Sequence, residues 1–307
     1  MDEGVWRRLL LVYFSRFLEA LEQARSIRDA APIVVFLYSA GKDSAAAMLP
    51  YLVEWFSDLA SMESWVDALS VPEIHVVHVV VTGNSHPANT YCATASMLST
   101  LRHMRLYTPE LYHAELLASD RVFQWLAAKY GLVIGPRRWC FLEFKYKVIY
   151  NYLERLWHER RQPLIVVDGM SPSDRAQRSK AVRKPVEIVE TSRGFSFVAL
   201  HPLYGLEFDR LALIEWVARR FEPFRYYRCV VELYRVYGDS MNCILCPYKQ
   251  PQRLLRNLAV DPALKEAVAG FIEVALRGEH WQRYAKHLRT PPITNWSERG
   301  SSESTNW

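Results

Sequence analysis

Three short apolar runs, each ending in a turn of small or polar residues, constrain this chain more than any other feature. Ile33 to Leu37 runs into Tyr38-Ser39-Ala40-Gly41-Lys42-Asp43-Ser44, and Ile74-His75-Val76-Val77-His78-Val79-Val80-Val81 runs into Thr82-Gly83-Asn84-Ser85-His86-Pro87. Leu164-Ile165-Val166-Val167-Asp168 runs into Gly169-Met170-Ser171-Pro172-Ser173-Asp174-Arg175. Near-continuous β-branched runs belong to strands covered on both faces, as in a parallel sheet. Helix-like stretches, near residues 45–59, 89–103 and 141–161, are interleaved with them. The alternation of strand, turn and helix predicts an α/β fold, a doubly wound parallel sheet. Ligands of such sheets bind beyond the carboxyl ends of the strands, so the first and second turns are expected side by side. His75 and His78 are three apart within one strand and point to opposite faces; we read them as core or sheet-face histidines in preference to metal ligands.

The rest of the chain arranges itself around this unit. Leu9, Val12, Tyr13, Phe17 and Leu21 recur at helical spacing and predict an N-terminal helix, so residues 1–30 form a cover helix and 31–205 the α/β domain. Short strands are expected at Arg105 to Tyr107 and, as an edge pair across Ser192-Arg193-Gly194, at Val186 to Val189 and Phe195 to Leu200. A helix from Asp120 to Tyr130 stops at Gly131, and one from Phe141 to Arg161 shows an apolar face of Phe144, Val148, Tyr152 and Leu156. Beyond His201-Pro202-Leu203 the texture changes. Residues 206–290 read as a smaller, mostly helical appendage carrying Cys243-Ile244-Leu245-Cys246-Pro247, and 291–307, rich in Ser, Glu and Asn, as a mobile tail.

Composition narrows the class. At 50% hydrophobic and 23% charged residues the chain is globular, and no apolar run approaches the ~20 residues of a membrane span. Its N-terminal apolar run, Leu9 to Phe14, is too short for a signal-peptide core, which predicts a cytoplasmic protein with no membrane partner. The formal charge of +5 permits a polyanionic partner without requiring one. In a reducing compartment the five cysteines, Cys92, Cys140, Cys229, Cys243 and Cys246, suggest metal or redox use more than a disulfide framework.

The first turn has the chemistry of a phosphate cradle. Unpaired N–H groups in the first turn of a helix, with the positive end of its dipole, bind an anion. Gly41 lets the backbone approach, Lys42 adds charge, and Ser39 and Ser44 add hydroxyls. The sequence is not a Walker A loop, which would need Gly at Phe36 and Ser or Thr at Asp43. Asp43 brings negative charge toward phosphate, which helix capping or a Mg²⁺ bridge makes tolerable; capping is the favoured reading. Cys243-x-x-Cys246 places two thiolates within reach of one metal, and Pro247 stiffens the turn.

Four separated segments together resemble the PAPS reductase family of the PP-loop ATP pyrophosphatase superfamily. They are Ser39-x-Gly41-Lys42-Asp43-Ser44, the turn Thr82-Gly83-Asn84 with Pro87, Arg138-Trp139-Cys140 to Lys145, and Cys243-x-x-Cys246-Pro247. The family's Gly-x-Arg loop is echoed at Gly169-Met170-Ser171, with Asp174 and Arg178 beyond it, but Ser171 stands where Arg is usual. The resemblance implies an adenine nucleotide across the carboxyl edge of the sheet. Ser39, Ala40, Gly41, Lys42, Asp43 and Ser44 would hold its phosphates, Thr82, Gly83, Gly169 and Met170 would flank the adenosine, and Arg178 would complete the site. It also implies that Cys140 joins Cys243 and Cys246, three thiolates able to hold a 4Fe-4S cluster with one open iron. Zinc and metal-free redox thiols remain alternatives; Cys229 is either a fourth ligand or structural, and Cys92 a buried structural thiol.

The reaction implied follows from two details. Sulfonucleotide reductases of the family resemble the pattern with a degraded loop and use a C-terminal catalytic cysteine; here the loop is intact and no cysteine follows Cys246. Both favour ATP with Mg²⁺ and transfer of sulfur to an adenylated acceptor, with Lys42, Asp43 and Cys140 as catalytic residues and release of pyrophosphate and AMP. A PAPS or adenylyl sulfate reductase, and a nucleotide- or nucleic-acid-binding module without turnover, are the alternatives. Arg137, Arg138, Lys145 and Lys147 cluster beside Cys140, and Lys249, Arg253, Arg256, Arg277, Arg283, Lys286 and Arg289 extend basic charge through the appendage. With neighbouring Trp and Tyr they suit an RNA acceptor such as tRNA, or equally form a solvated helical surface over an aromatic core. The expected partners are an adenine nucleotide, that RNA, an unidentified sulfur donor and a second copy of the chain as a homodimer.

Overall fold

The computed structural model describes residues 2–61, 72–105, 110–131, 139–170, 184–246 and 251–277. The N-terminal helix α1, Glu3–Ile27, starts where the Asp2 carboxylate accepts a hydrogen bond from Val5 N at 2.8 Å. Its stripe of Trp6, Leu9, Tyr13 and Phe17 is buried. Strand β1, Ile33–Leu37, leads into α2, Lys42–Ser61, and β2, Glu73–Val80, into α3, Pro87–Met104. Then come β3, Tyr112–Ala118, and α4, Phe123–Tyr130, which ends at Gly131 as expected. A π-helical turn, Phe141–Tyr146, continues into α5, Lys147–Arg160, followed by β4, Leu164–Val167, β5, Val186–Glu190, and β6, Ser196–Leu200. The chain continues as α6, Arg210–Arg220, a 3-10 turn, Glu222–Tyr227, α7, Arg228–Tyr237, α8, Pro251–Val260, and α9, Pro262–Arg277.

The six strands form one sheet in the order β3-β2-β1-β4-β6-β5, parallel except where β5 runs antiparallel to β6. The α/β doubly wound architecture expected from the apolar runs is therefore present. Alternate residues of each strand feed two cores. Val34, Phe36, Ile165 and Val167 face α1, α2, α6 and α7, while Ile33, Val35, Leu164 and Val166 face Tyr152, Leu153 and Leu156 of α5. Tyr13, Phe17, Phe36, Tyr51 and Trp55 are each at most 1% exposed and clamp α1 and α2 onto β1. Burial of one such side chain contributes about 1.5–3 kcal/mol, and together they fix the turn between β1 and α2.

Two expected strands change place. Arg105 ends α3, residues 106–109 lie outside the described residues, and the strand comes later as β3. Of the expected edge pair only β5 is at the edge; β6 is interior, parallel to β4. No described helix is long and apolar enough to cross a membrane. The tail 291–307 lies outside the described residues.

Candidate nucleotide and thiol site

The strand order reverses between β1 and β4, and the turns after these two strands meet there. A Cβ added at Gly169 would stand 2.5 Å from Ser44 N and 2.6 Å from Asp43 C, so the turn after β4 lies against the first turn of α2. This is the switch-point crevice in which open α/β sheets bind ligands. Between β1 and α2, Ala40 takes a left-handed φ of 52°. Ser39 Oγ and Ser44 Oγ are 3.0 Å apart, and Ser44 Oγ also donates to Gly41 O and accepts from Ser39 N. The two hydroxyls thus close the turn on itself. In the first turn of α2 the Lys42 N–H donates to Tyr234 Oη at 3.4 Å.

Asp43 is not in the capping position expected of it. It sits inside the first turn of α2, and its carboxylate lies 2.7 Å from Arg210 Nε at the start of α6. No sequence pattern assigns Arg210 a role, since the pair is far apart in the chain. The same is true of Asp168, whose Oδ1 accepts from Met170 N at 2.9 Å and from His201 Nδ1 at 2.8 Å. An acidic residue ending an apolar strand is the one local signal for it. His201 is 1% exposed. Burial alone would lower its pKa, but the hydrogen bond and charge of Asp168 and the charge of Glu187 outweigh it, and the net shift is upward. Arg178, Ser171 and Asp174 lie outside the described residues.

The turn after β2 faces the cysteine segment. Thr82 O accepts from Phe123 N, and Gly83 O accepts from Gln124 Nε2, so this turn is anchored to α4. Asn84 grips the segment: its Oδ1 accepts from Leu245 N at 2.8 Å, its Nδ2 donates to Leu245 O, and its own O accepts from Ile244 N. Asn89 Nδ2 donates to Ser39 O at 3.0 Å and to Ser240 O at 2.6 Å, and Asn242 Nδ2 approaches Asn89 Oδ1 at 3.3 Å. One amide therefore joins the turn after β1 to the approach to Cys243.

Cys140, Cys243 and Cys246 form no disulfide and are half-buried. Cys140 and Cys243 pack beside Val81, Phe123, Phe144 and Phe271. Burial, then the neighbouring Cys243 and Cys246, push the Cys140 thiol up to about 11. The three sulfurs do not gather within 4.8 Å of one another; among the described residues the set that does so is Glu73, His75 and His113. Lys145 turns inward to Asn242 Oδ1 at 2.5 Å, whereas Lys147 pairs with Glu143 and lines a cleft of about 590 Å³ with Arg121 and Arg155. Arg256 and Arg277 are exposed on α8 and α9, Arg277 paired with Glu273. Pro247, Arg137, Arg138, Lys249, Arg283, Lys286 and Arg289 lie outside the described residues.

Contrary to expectation, Cys92 and Cys229 are not free thiols. They form a disulfide joining α3 to α7, so Cys229 is not a fourth ligand. Sequence spacing could not pair them, because packing of α7 over α3 brings them together across 137 residues.

No protein-family model and no curated protein matches the chain. Among solved structures, PAPS reductase from Candida auris in its phosphate complex is 15% identical, with a TM-score of 0.32, over 71% of this chain and 87% of its own. The U34-tRNA thiolase NcsA from Methanococcus maripaludis, with its 4Fe-4S cluster, is 14% identical, with a TM-score of 0.33, over 94% of this chain and 86% of its own. Likeness at this level leaves the functional assignment to the residues of the chain itself.

Proposed function

We propose that the chain is an ATP-dependent PP-loop enzyme of sulfur metabolism that adenylates an acceptor oxygen and replaces it with sulfur. The supporting observation is the Asn89 amide, which ties Ser39 in the turn after β1 to Ser240 beside the cysteine segment. It couples an anion-binding helix start to a group of thiols. Backbone N–H groups at the start of α2 and the Lys42 ammonium receive the β- and γ-phosphates, the Lys42 N–H by leaving Tyr234 Oη, and Gly169 and Met170 border the nucleoside. The acceptor oxygen attacks the α-phosphorus, pyrophosphate leaves onto the turn, and a sulfur nucleophile then displaces AMP. Lys42 and the helix start stabilise the leaving charge. Asp43 would hold Mg²⁺ only by exchanging its contact with Arg210 for the ion.

Cys140, Cys243 and Cys246 are the residues that would hold a thiolate-bound cluster, with zinc as the alternative. Cys243 and Cys246 act electrostatically on the Cys140 thiol and the setting is half-buried and partly apolar, although the three sulfurs do not all lie within 4.8 Å of one another. When bound, a 4Fe-4S cluster with an open iron supplies sulfide to the reaction. The chain's part is to hold it, with Asn84 fixing the backbone between Cys243 and Cys246. A tRNA acceptor would meet the cleft of Arg121, Lys147 and Arg155, where Asp120 and Glu143 also line the wall and Glu143 pairs with Arg121 and Lys147.

Pyrophosphate release from ATP, measured with and without tRNA, tests the reading. The wild type releases pyrophosphate in an acceptor-dependent way and Lys42→Ala does not. Sulfite release from PAPS with a thiol reductant, without ATP turnover, would replace the proposal with the reductase reading.

A further inference from the structure

A second cluster of ligating groups lies at the opposite end of the sheet. Glu73 and His75 are two apart on β2 and share a face, and His113 on β3 is in register with His75. The two imidazoles stack with centroids 4.3 Å apart and planes 17° from parallel. His75 Nε2 lies 2.9 Å and His113 Nε2 3.2 Å from Glu73 Oε1, and the three ligand atoms lie within 4.8 Å of one another. Along β2 this cluster is roughly 20 Å from the turn at Thr82. In the sequence His75 reads as a sheet-face histidine because its partner on β3 is brought beside it only by strand pairing.

We propose that Glu73, His75 and His113 bind one divalent late first-row transition ion, of the zinc and cobalt class. Two imidazole nitrogens and one carboxylate oxygen are the donor set such ions take, and hard ions such as Mg²⁺ do not select it. The side chains of His75 and Glu73 are 4% and 14% exposed, so desolvation is already in place. The His75 ring is oriented from behind by Tyr152 Oη, 2.6 Å from Nδ1; a donating Nδ1–H leaves the Nε2 lone pair for the metal. His113 Nε2 is buried without a hydrogen-bond partner. The His113 side chain, 26% exposed, leaves a path for water as a fourth ligand.

Arg160 Nη2 also stands 3.3 Å from Glu73 Oε1 and opposes a cation there. Its side chain is 49% exposed, so it swings to solvent or to the other carboxylate oxygen when the ion enters. Without an ion, one carboxylate oxygen faces two imidazoles and a guanidinium, and one of those imidazole nitrogens gains no hydrogen bond. The cluster has more donors than its acceptor satisfies, and a metal resolves this.

Cobalt(II) titrated into the full chain, with bound metal counted after equilibrium dialysis, tests the site. Expected is one ion that gives weak visible bands, persists in Cys243→Ser without a sulfur-to-cobalt charge-transfer band, and is lost in His113→Ala and Glu73→Gln. Tyr152→Phe, which only releases the His75 ring, should weaken binding on the order of 10–100-fold. Proton NMR of the wild-type cobalt complex should show strongly shifted, exchangeable imidazole N–H signals. Wild-type cobalt affinity in folded His113→Ala and Glu73→Gln overturns the proposal. Should both variants fail to fold, the absence of shifted imidazole signals in the wild type overturns it alone.

Discussion

Gly169→Ala probes the crevice directly, because the methyl group it adds meets backbone on every near side. Its Cβ would lie 2.5 Å from Ser44 N, 2.6 Å from Asp43 C and 2.7 Å from Ser44 Cα, where ordinary contact begins at 3.4 Å. The turn after β4 and the start of α2 must part by about 0.9 Å, and no side-chain rotation relieves this. Overpacking of this kind costs about 1–3 kcal/mol of stability, and a misplacement near 1 Å costs on the order of 10²-fold in turnover. Urea unfolding, with m unchanged, reads the first quantity; ATP-dependent pyrophosphate release reads the second. Gly194→Ala is the control: its φ of +80° strains any side chain, but no atom lies within 4 Å and the hairpin is remote from α2. It should lower stability and leave turnover per folded molecule intact. A Gly169→Ala protein with wild-type urea midpoint and turnover would refute the close approach and the crevice built on it.

Three further outcomes follow from individual contacts. Asn89→Ala leaves Ser39 O and Ser240 O without their amide, so stability should fall by about 1–3 kcal/mol and the alkylation rate of Cys243 should change; an unchanged rate denies the coupling. The raised pKa of His201 contributes stability that is complete below the ordinary histidine value of about 6.5 and is lost as pH rises through the folded-state value. Urea midpoints from about pH 6 to 9 should therefore fall more steeply in the wild type than in His201→Gln, and parallel curves would exclude the Asp168 contact as their source. Reduction of Cys92–Cys229 should cost about 2–4 kcal/mol, with three cysteines alkylated in the oxidised protein and five after reduction; five before reduction would deny the bond.

The parts of this structure legible in the sequence are those written in local pattern. Strands β1, β2 and β4 are near-continuous apolar, β-branched runs because both their faces are covered, and α1 declares itself through Leu9, Tyr13 and Phe17. β3 is different. Tyr112 to Ala118 has no β-branched residue, and its burial is partial, because an edge strand packs one side less completely. The interior place of β6 depends on strand order, which no local window carries. The same limit hides the Asp43–Arg210 and Asp168–His201 pairs and the disulfide, each made by groups far apart in the chain. The turn between β1 and α2 is readable in the sequence, but the mutual bond of its two serine hydroxyls is not.

The bridging role of Asn89 follows from the chemistry at both its ends. Ser39 O and Ser240 O are acceptors, so the group between them must donate twice. A carboxylate would oppose both carbonyls and repel a phosphate on the neighbouring turn. A lysine would bring an unpaired charge into a site where Asn89 is fully buried. The amide supplies two N–H bonds without net charge, and its oxygen remains for the Asn242 amide at 3.3 Å. Asn242 in turn receives Lys145 on its own oxygen, which places that cation beside Cys140, where it lowers the thiol pKa against burial and the other two cysteines. A neutral relay thus connects the proposed anion site to the thiols while keeping their charges apart, an arrangement that a direct salt bridge could not provide.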